Sequence, residues 1–356
     1  MILREATVED WPVIADFFLT TPLESETSFV LDRRPDFGAL PRLRGTFRTF
    51  LAYRNGRLAG TVTALCRTAR DGERQLIVGE LIDFRVAPWA RGGRAAFLLL
   101  RAANQAFRAG KVNWIVCLIG DQNRATIPLV THRAGLPLLA PLGSFASVHF
   151  IVWRGPRFSS WAGVTVRRAT AADSAVVQEL SSEAIIAERF APVDQLRWPD
   201  ISGRHHAWIA ARADGSPAGL LLVWDSEPAR RLRIFRYRAA DLPLRCAARI
   251  GAWLGLVTPL PAAGGVLGMW ASCALVVRRE DPKILHALIR TALRDAADAG
   301  KSVLQLNVHA GDPLLRHLPR YPRSTYRSTL YGCPVGDCSD SSLPFTGFYH
   351  ADLARV

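Results

Sequence analysis

The sequence lacks most of the features that place a protein at sight. It has no low-complexity tract and no collagen-like glycine period, and 49% hydrophobic with 21% charged residues is not the composition of a disordered chain. Its opening, MILREATVEDW, has no basic segment followed by an apolar core, so a secretory leader is not expected. The six cysteines stand apart, and Cys333 with Cys338 has no second pair or neighbouring histidines. That spacing argues against a metal and for reduced thiols in a cytoplasmic protein. Charge is missing from Ile250 to Val277, a run long enough to cross a bilayer. Pro259, Pro261, Gly264 and Gly265 interrupt it, and VLGMWASCALVV is rich in strand formers. A helix, a tight loop and a buried strand are therefore expected in place of a transmembrane segment, with peripheral lipid contact left open.

What the chain has in excess is positive charge. Lysine and arginine total 45 against 31 acidic residues, for a net charge of +14, and arginine dominates. The expected partners are anions: a polyphosphate cofactor, an acidic carrier protein or nucleic acid. Charge does not choose among them. At 356 residues the chain has the length of two domains, each able to bury a core.

The chain also repeats itself. Arg4-Glu5-Ala6-Thr7-Val8-Glu9-Asp10 is echoed by Arg167-Arg168-Ala169-Thr170-Ala171-Ala172-Asp173, each a short strand leading into a helix start. Tyr53-Arg54-Asn55-Gly56 and Arg212-Ala213-Asp214-Gly215 each read as a hairpin turn with two positive dihedrals, followed by Ala59-Gly60 and Ala218-Gly219. Ala109-Gly110-Lys111 and Ala299-Gly300-Lys301 each end a helix and feed an apolar strand. Three echoes in one order point to duplication. Each copy reads strand, helix, hairpin, long strand, helix, strand, which is an α/β mixed sheet flanked by helices. The boundary is expected in the turn-rich Trp153 to Ala162, giving lobes 1–155 and 156–356. The second copy carries an insertion, Leu242 to Leu267, before its third echo.

The segment from Glu80 to Ala96 carries the chemistry. A strand ends at Pro88, Arg91-Gly92-Gly93-Arg94 forms a loop, and an amphipathic helix follows. Glycines at such a turn let backbone N–H groups approach a ligand, and the helix N-terminus favours a pyrophosphate. The strand, the Val86-x-Pro88 step and Arg91-Gly92 resemble the acyl-CoA motif of the GNAT superfamily, whose loop reads Arg or Gln, any, any, Gly, any, Gly or Ala. Arg91 and Ala96 match its ends, while Arg94 stands at the middle glycine. A side chain there could crowd the pyrophosphate or salt-bridge to it, and Gly93 restores backbone freedom. Arg4-Glu5-Ala6-Thr7 with Asp10 resembles the family's start. Asn123-Arg124-Ala125, with Ala134-Gly135-Leu136, resembles its last cofactor-facing helix. The resemblance covers most of residues 1–150.

It implies direct transfer of an acetyl or longer acyl group from acyl-CoA to a small-molecule or peptide amine, without a metal. Phe84, Val86, Arg91, Gly92, Gly93, Arg94, Ala95, Ala96 and Asn123 would hold the donor. An acidic acyl carrier protein is an alternative donor. The attack needs a proton acceptor and an oxyanion-binding N–H. Glu80 is the first candidate base, because period-two counting puts it on one face with Ile82, Phe84 and Val86. Asp83 is the second, and pairing with arginine is the plain alternative for both. The family's usual tyrosine acid is absent from Leu129-Val130-Thr131-His132, where His132 or Thr131 could substitute.

The second copy has Arg278-Arg279-Glu280-Asp281-Pro282 where the loop should be, without glycine and with two acids, so it is expected to have lost the cofactor. The uncharged stretch would then line an apolar acceptor or acyl site, or seal the contact between the copies. Arg231-Leu232-Arg233-Ile234-Phe235-Arg236-Tyr237-Arg238 suits a solvated strand better than RNA stacking, and Arg204-His205-His206 suggests no metal. An acyltransferase is the expected function. A non-catalytic acyl-CoA sensor is the alternative, and an RNA-associated factor is less favoured.

Overall fold

The computed structural model describes residues 1–22, 28–131, 137–154, 160–161, 163–186, 188–192, 204–237, 239, 242–335 and 348–349. The chain forms two compact units, discontinuous in sequence. One takes Met1–Ser144, Glu188–Val193 and Ser328–Ala351; the other takes Phe145–Ala187, Asp194–Arg327 and Asp352–Val356.

The first unit begins with β1 (Ile2–Glu5) and α1 (Trp11–Thr20). Strands β2 (Thr46–Arg54) and β3 (Arg57–Asp71) form a hairpin, in which Asn55 at φ 52° and Gly56 at φ 73° supply the left-handed pair that such a turn requires. β4 (Arg74–Val86) continues antiparallel. α2 (Ala95–Ala109) then crosses over so that β5 (Trp114–Gly120) runs parallel to β4. Residues 328–334, from near the C-terminus, add the next strand antiparallel to β5. Phe18, Leu51, Leu65, Leu99 and Phe107 are fully buried.

A strand β6 (Ala140–Ile151) follows, and its residues 145–151 belong to the second unit. That unit runs through β7 (Val164–Arg168), α3 (Ser174–Ile186), β8 (His205–Ala211), β9 (Pro217–Asp225), β10 (Arg231–Arg236), α4 (Leu242–Trp253), β11 (Met269–Val277), α5 (Pro282–Asp298) and β12 (Val303–His309). Its sheet order is β7, β8, β9, β11, β12 and then residues 145–151. β12 is parallel to β11, again across a helix. The uncharged stretch is thus a helix, a loop and a strand, and among the described residues no helix is long and apolar enough to cross a membrane.

The repeat is visible atom by atom. The Asp10 carboxylate accepts from the Thr7 N–H at 2.8 Å and from both ends of the Arg4 guanidinium at 2.7 and 2.5 Å. Asp173 accepts from Thr170 N–H at 2.8 Å and from Arg167 at 2.7 and 2.6 Å. Each carboxylate fixes a strand-to-helix turn from both sides. The parallel ladders open at Val78–Trp114 and Met269–Val303, and equally far along, Val86 pairs with Gly60 and Val277 with Gly219. A Cβ on Gly60 would sit 2.6 Å from the Arg85 carbonyl oxygen, and one on Gly219 2.9 Å from that of Val276. Both strands need glycine there to pass this close to their neighbours.

Two details of the echoes differ from the sequence reading. In the second hairpin Gly215 alone, at φ 81°, is left-handed, whereas Asp214 is not. At the helix ends Val112 N–H donates to Phe107 C=O and Lys301 N–H to Ala296 C=O, so Lys111 (φ 49°) corresponds to Gly300 (φ 71°). The Ala-Gly-Lys match is therefore one residue out of register, because the turn geometry, not the letter string, is what the two copies share.

Candidate functional site

The parallel pairing of β4 with β5 is brief. Among the described residues it spans only Val78–Glu80 opposite Trp114–Val116, although β4 continues to Val86 and β5 to Gly120. Beyond Glu80 the parallel ladder stops, so from there alternate backbone groups on the facing edges are not paired with each other. The cause lies in β4. Thr61 pairs with Arg85 but Thr63 with Ile82, so the strand carries one extra residue, and Asp83 sits at φ 58°. This bulge breaks the alternation. The count that put Glu80 on one face with Phe84 and Val86 fails there, and only Ile82 lies before the break.

β4 ends in a short helical turn, Pro88–Ala90, and Arg91 to Arg94 lead into α2. Gly92 has φ 74°, and a Cβ there would meet nothing within 4 Å. No side chain caps the N-terminus of α2 and no acidic residue stands in its first turn. The Arg91 and Arg94 residues beside it are exposed, Ala95 is buried and Ala96 half-buried. Open backbone, an uncapped positive helix end and nearby guanidiniums make a place for a polyphosphate. Asn123 lies in an exposed turn, its carbonyl accepting from Thr126 N–H at 3.1 Å, just before the helix Ile127–Thr131. His132 and the Ala134-Gly135-Leu136 segment lie outside the described residues.

Both candidate carboxylates are engaged. Glu80 is buried between two arginines, its Oε1 2.5 Å from Arg67 Nε and its Oε2 against Arg44. Arg67 also donates to the Phe190 carbonyl at 2.8 Å. Asp83 takes a forked pair from buried Arg33 at 2.6 and 2.8 Å. Arg44 and Arg33 are 36 and 50 residues away in sequence, whereas Arg67, opposite Val78, is a diagonal neighbour of Glu80 across the β3–β4 hairpin. Burial pushes the Arg85 guanidinium down to about 10; Asp83 opposes that shift and Arg33 adds to it. Burial, then the Glu80 charge, pushes the Cys117 thiol of β5 up to about 12, so it stays protonated.

The second unit repeats this architecture with other residues. Among the described residues β11 pairs with β12 only through Met269–Ala271, and β11 too carries one extra residue, Cys273, between Ala274 opposite Leu222 and Ser272 opposite Val223 of β9. Where the first unit has Leu81 and Leu118, the second has Ser272 and Asn307. The Asn307 N–H donates to the Ser272 hydroxyl at 2.8 Å, and its side-chain amide donates to the Ser272 carbonyl at 3.0 Å. These bonds carry the ladder onward where the main chain has stopped. The N-terminus of α5 is capped from within, since the Asp281 carboxylate accepts from Lys283 N–H at 2.9 Å. His206 lies against the Trp270 ring at 4.4 Å, and burial, aided by Arg168, lowers its imidazole to about 4. Among the described residues no cluster of His, Cys, Asp and Glu could hold a metal.

No family model and no curated protein matches the sequence. Solved structures do. Saccharomyces cerevisiae N-myristoyltransferase with bound myristoyl-CoA is similar over 93% of this chain and 82% of that one, with a TM-score of 0.58 at 12% identity. The same yeast enzyme with bound myristoyl-CoA and inhibitors gives 0.59 at 11% identity, over 93% and 79%. A GCN5-related N-acetyltransferase from Anabaena variabilis gives 0.50 at 12% identity, over 95% and 73%. The fold is a tandem GNAT-like fold, a mixed α/β architecture.

Proposed function

We propose that the first unit binds acyl-CoA and transfers its acyl group to an amine. The observation that carries this reading is the coincidence of the opening between β4 and β5 with the uncapped, glycine-bearing start of α2. Arg91, Gly92, Gly93, Arg94, Ala95 and Ala96 would surround the pyrophosphate, with Phe84 and Val86 along the pantetheine arm and Asn123 on the far side. The amine nitrogen attacks the thioester carbonyl, the C–S bond breaks, and the CoA thiolate leaves and is protonated. Glu80 and Asp83 are bound to arginines, so the amine proton goes to water or to His132. That same engagement favours a second reading, a sensor that binds acyl-CoA without turnover. The bound myristoyl-CoA of the yeast structures supports testing long chains beside acetyl.

Thermal shift with acetyl-, medium- and long-chain acyl-CoA tests the binding, because a ligand of the folded state raises the midpoint. Thiol release with a panel of amines and peptides then separates the readings. A shift with release supports transfer, a shift without release supports the sensor, and no shift with any donor overturns both. An acyl carrier protein as donor makes a parallel arm.

A further inference from the structure

The second unit presents α4 the wrong way round for a helix of a soluble core. Leu242, Cys246, Ile250 and Trp253 recur at helical spacing on one face, and all are exposed. Ile250 is 61% and Trp253 86% exposed, and Leu254 and Leu256 just beyond are more than half exposed. Ala248 is buried, and a Cβ on Gly251 would lie 2.9 Å from Val257. The helix thus buries Ala248 and leaves Leu242, Ile250 and Trp253 outside.

Positive charge borders the same face. Arg249 adjoins Ile250, and Arg245 stands over the Tyr237 ring at 5.0 Å. The Tyr237 hydroxyl donates to the Pro261 carbonyl at 2.7 Å and Arg233 donates to that of Gly264 at 3.1 Å, which ties β10 to the loop that follows α4. β10 brings Arg231, Arg233 and Arg236. From Leu242 to Arg279 the sequence has no acidic residue. Two copies meeting through this face would set arginine against arginine, which argues against self-association.

We propose that α4 and its arginine border dock on an anionic lipid surface. An exposed Trp and branched aliphatics beside arginines match an interfacial helix, whose apolar side enters the headgroup boundary while guanidiniums meet lipid phosphates. The inference does not depend on acyl transfer. Sedimentation of the full chain with vesicles of phosphatidylcholine alone, or enriched in phosphatidylglycerol, tests it. Retention by the anionic vesicles that weakens with salt is expected. Ile250→Ser with Trp253→Ser should reduce it on the order of tenfold or more, and Arg236→Ser or Arg249→Ser about fivefold each, with thermal midpoints unchanged because the residues are exposed. No retention, equal retention by neutral vesicles, or full retention of the double variant overturns the proposal. So does a dimer that the double variant dissolves, which would assign the face to a second copy of this chain.

Discussion

The crossovers β4–α2–β5 and β11–α5–β12 share their register, their strand bulge and their short parallel ladder, yet they treat the resulting gap in opposite ways. In the first, Leu81 and Leu118 cannot bridge it, and the helix end beyond is bare. In the second, Ser272 and Asn307 bond across it, and Asp281 occupies the helix end as an internal anion. A repeated fold can thus keep its shape while one copy bonds with its own side chains across a gap that the other leaves without such bonds. The helix packing is exchanged too. Gly79 faces Phe107 in the first unit, where a Cβ would come within 2.6 Å of the ring; at the corresponding places the second has Trp270 and Ala296. The large partner has moved from helix to strand.

The largest effects are expected where the comparison is broken inside the core. Phe107→Ala should cost about 3–5 kcal/mol in chemical denaturation, and adding Gly79→Trp should recover part of that loss by copying the second unit. If the double variant is the less stable of the two, the exchange is only apparent. Glu80→Gln leaves Arg44 and Arg67 buried without their shared carboxylate, where the second unit has Ala271. A destabilisation of about 3–5 kcal/mol is expected, and thiol release lost without any loss of stability would restore Glu80 as the base.

Next comes the donor. Gly92→Val forces a branched side chain into a left-handed conformation and should remove most of the acyl-CoA thermal shift. Calorimetry should give one site per chain in the parent. Two equivalent sites would mean that the Asp281 cap and the Ser272–Asn307 bonds do not close the second gap.

Acid should separate the units further. His149, His205, His206, His286, His309 and His317, the described histidines, all lie in the second. Burial lowers His149 from 6.5 to about 4, with the Gln305 hydrogen bond opposing, and His206 behaves alike. The unfolded chain takes up these protons near 6.5 and the folded chain only near 4, so stability falls as pH drops through that interval. In the first unit the Arg4 pairing holds Asp10 at about 2, down from 3.8, so its contribution is full above 3.8 and is lost as the pH falls from there through about 2. His149→Gln with His206→Gln should flatten the higher window and leave the lower one. The smallest effect is Asp281→Ala, which removes the cap on α5 and should cost about 1 kcal/mol by thermal denaturation.

The sequence by itself determined the repeat, the hairpins, the helix starts and the Arg91–Ala96 loop, because each follows from residues a few positions apart: Asn55-Gly56 for a turn, Thr7 with Asp10 for a helix start, glycine after a strand for a loop. It also placed a helix, a loop and a strand in the uncharged stretch, although the helix stops at Trp253 with Gly255 at φ 72°, not at Pro259 and Pro261 as the sequence suggests. Tertiary structure alone decided the rest. The bulge at Asp83 reset which side chains of β4 share a face, and a count by twos cannot register one extra residue. Glu80 met Arg44, and Asp83 met Arg33, across separations that no local pattern spans. Residues 328–334 joined the sheet of the first unit although they follow the whole second copy in sequence. Trp253 came to lie outside while Ala248 of the same helix was buried, and hydrophobicity read along the chain records how apolar a residue is but not which side of its helix the fold will cover.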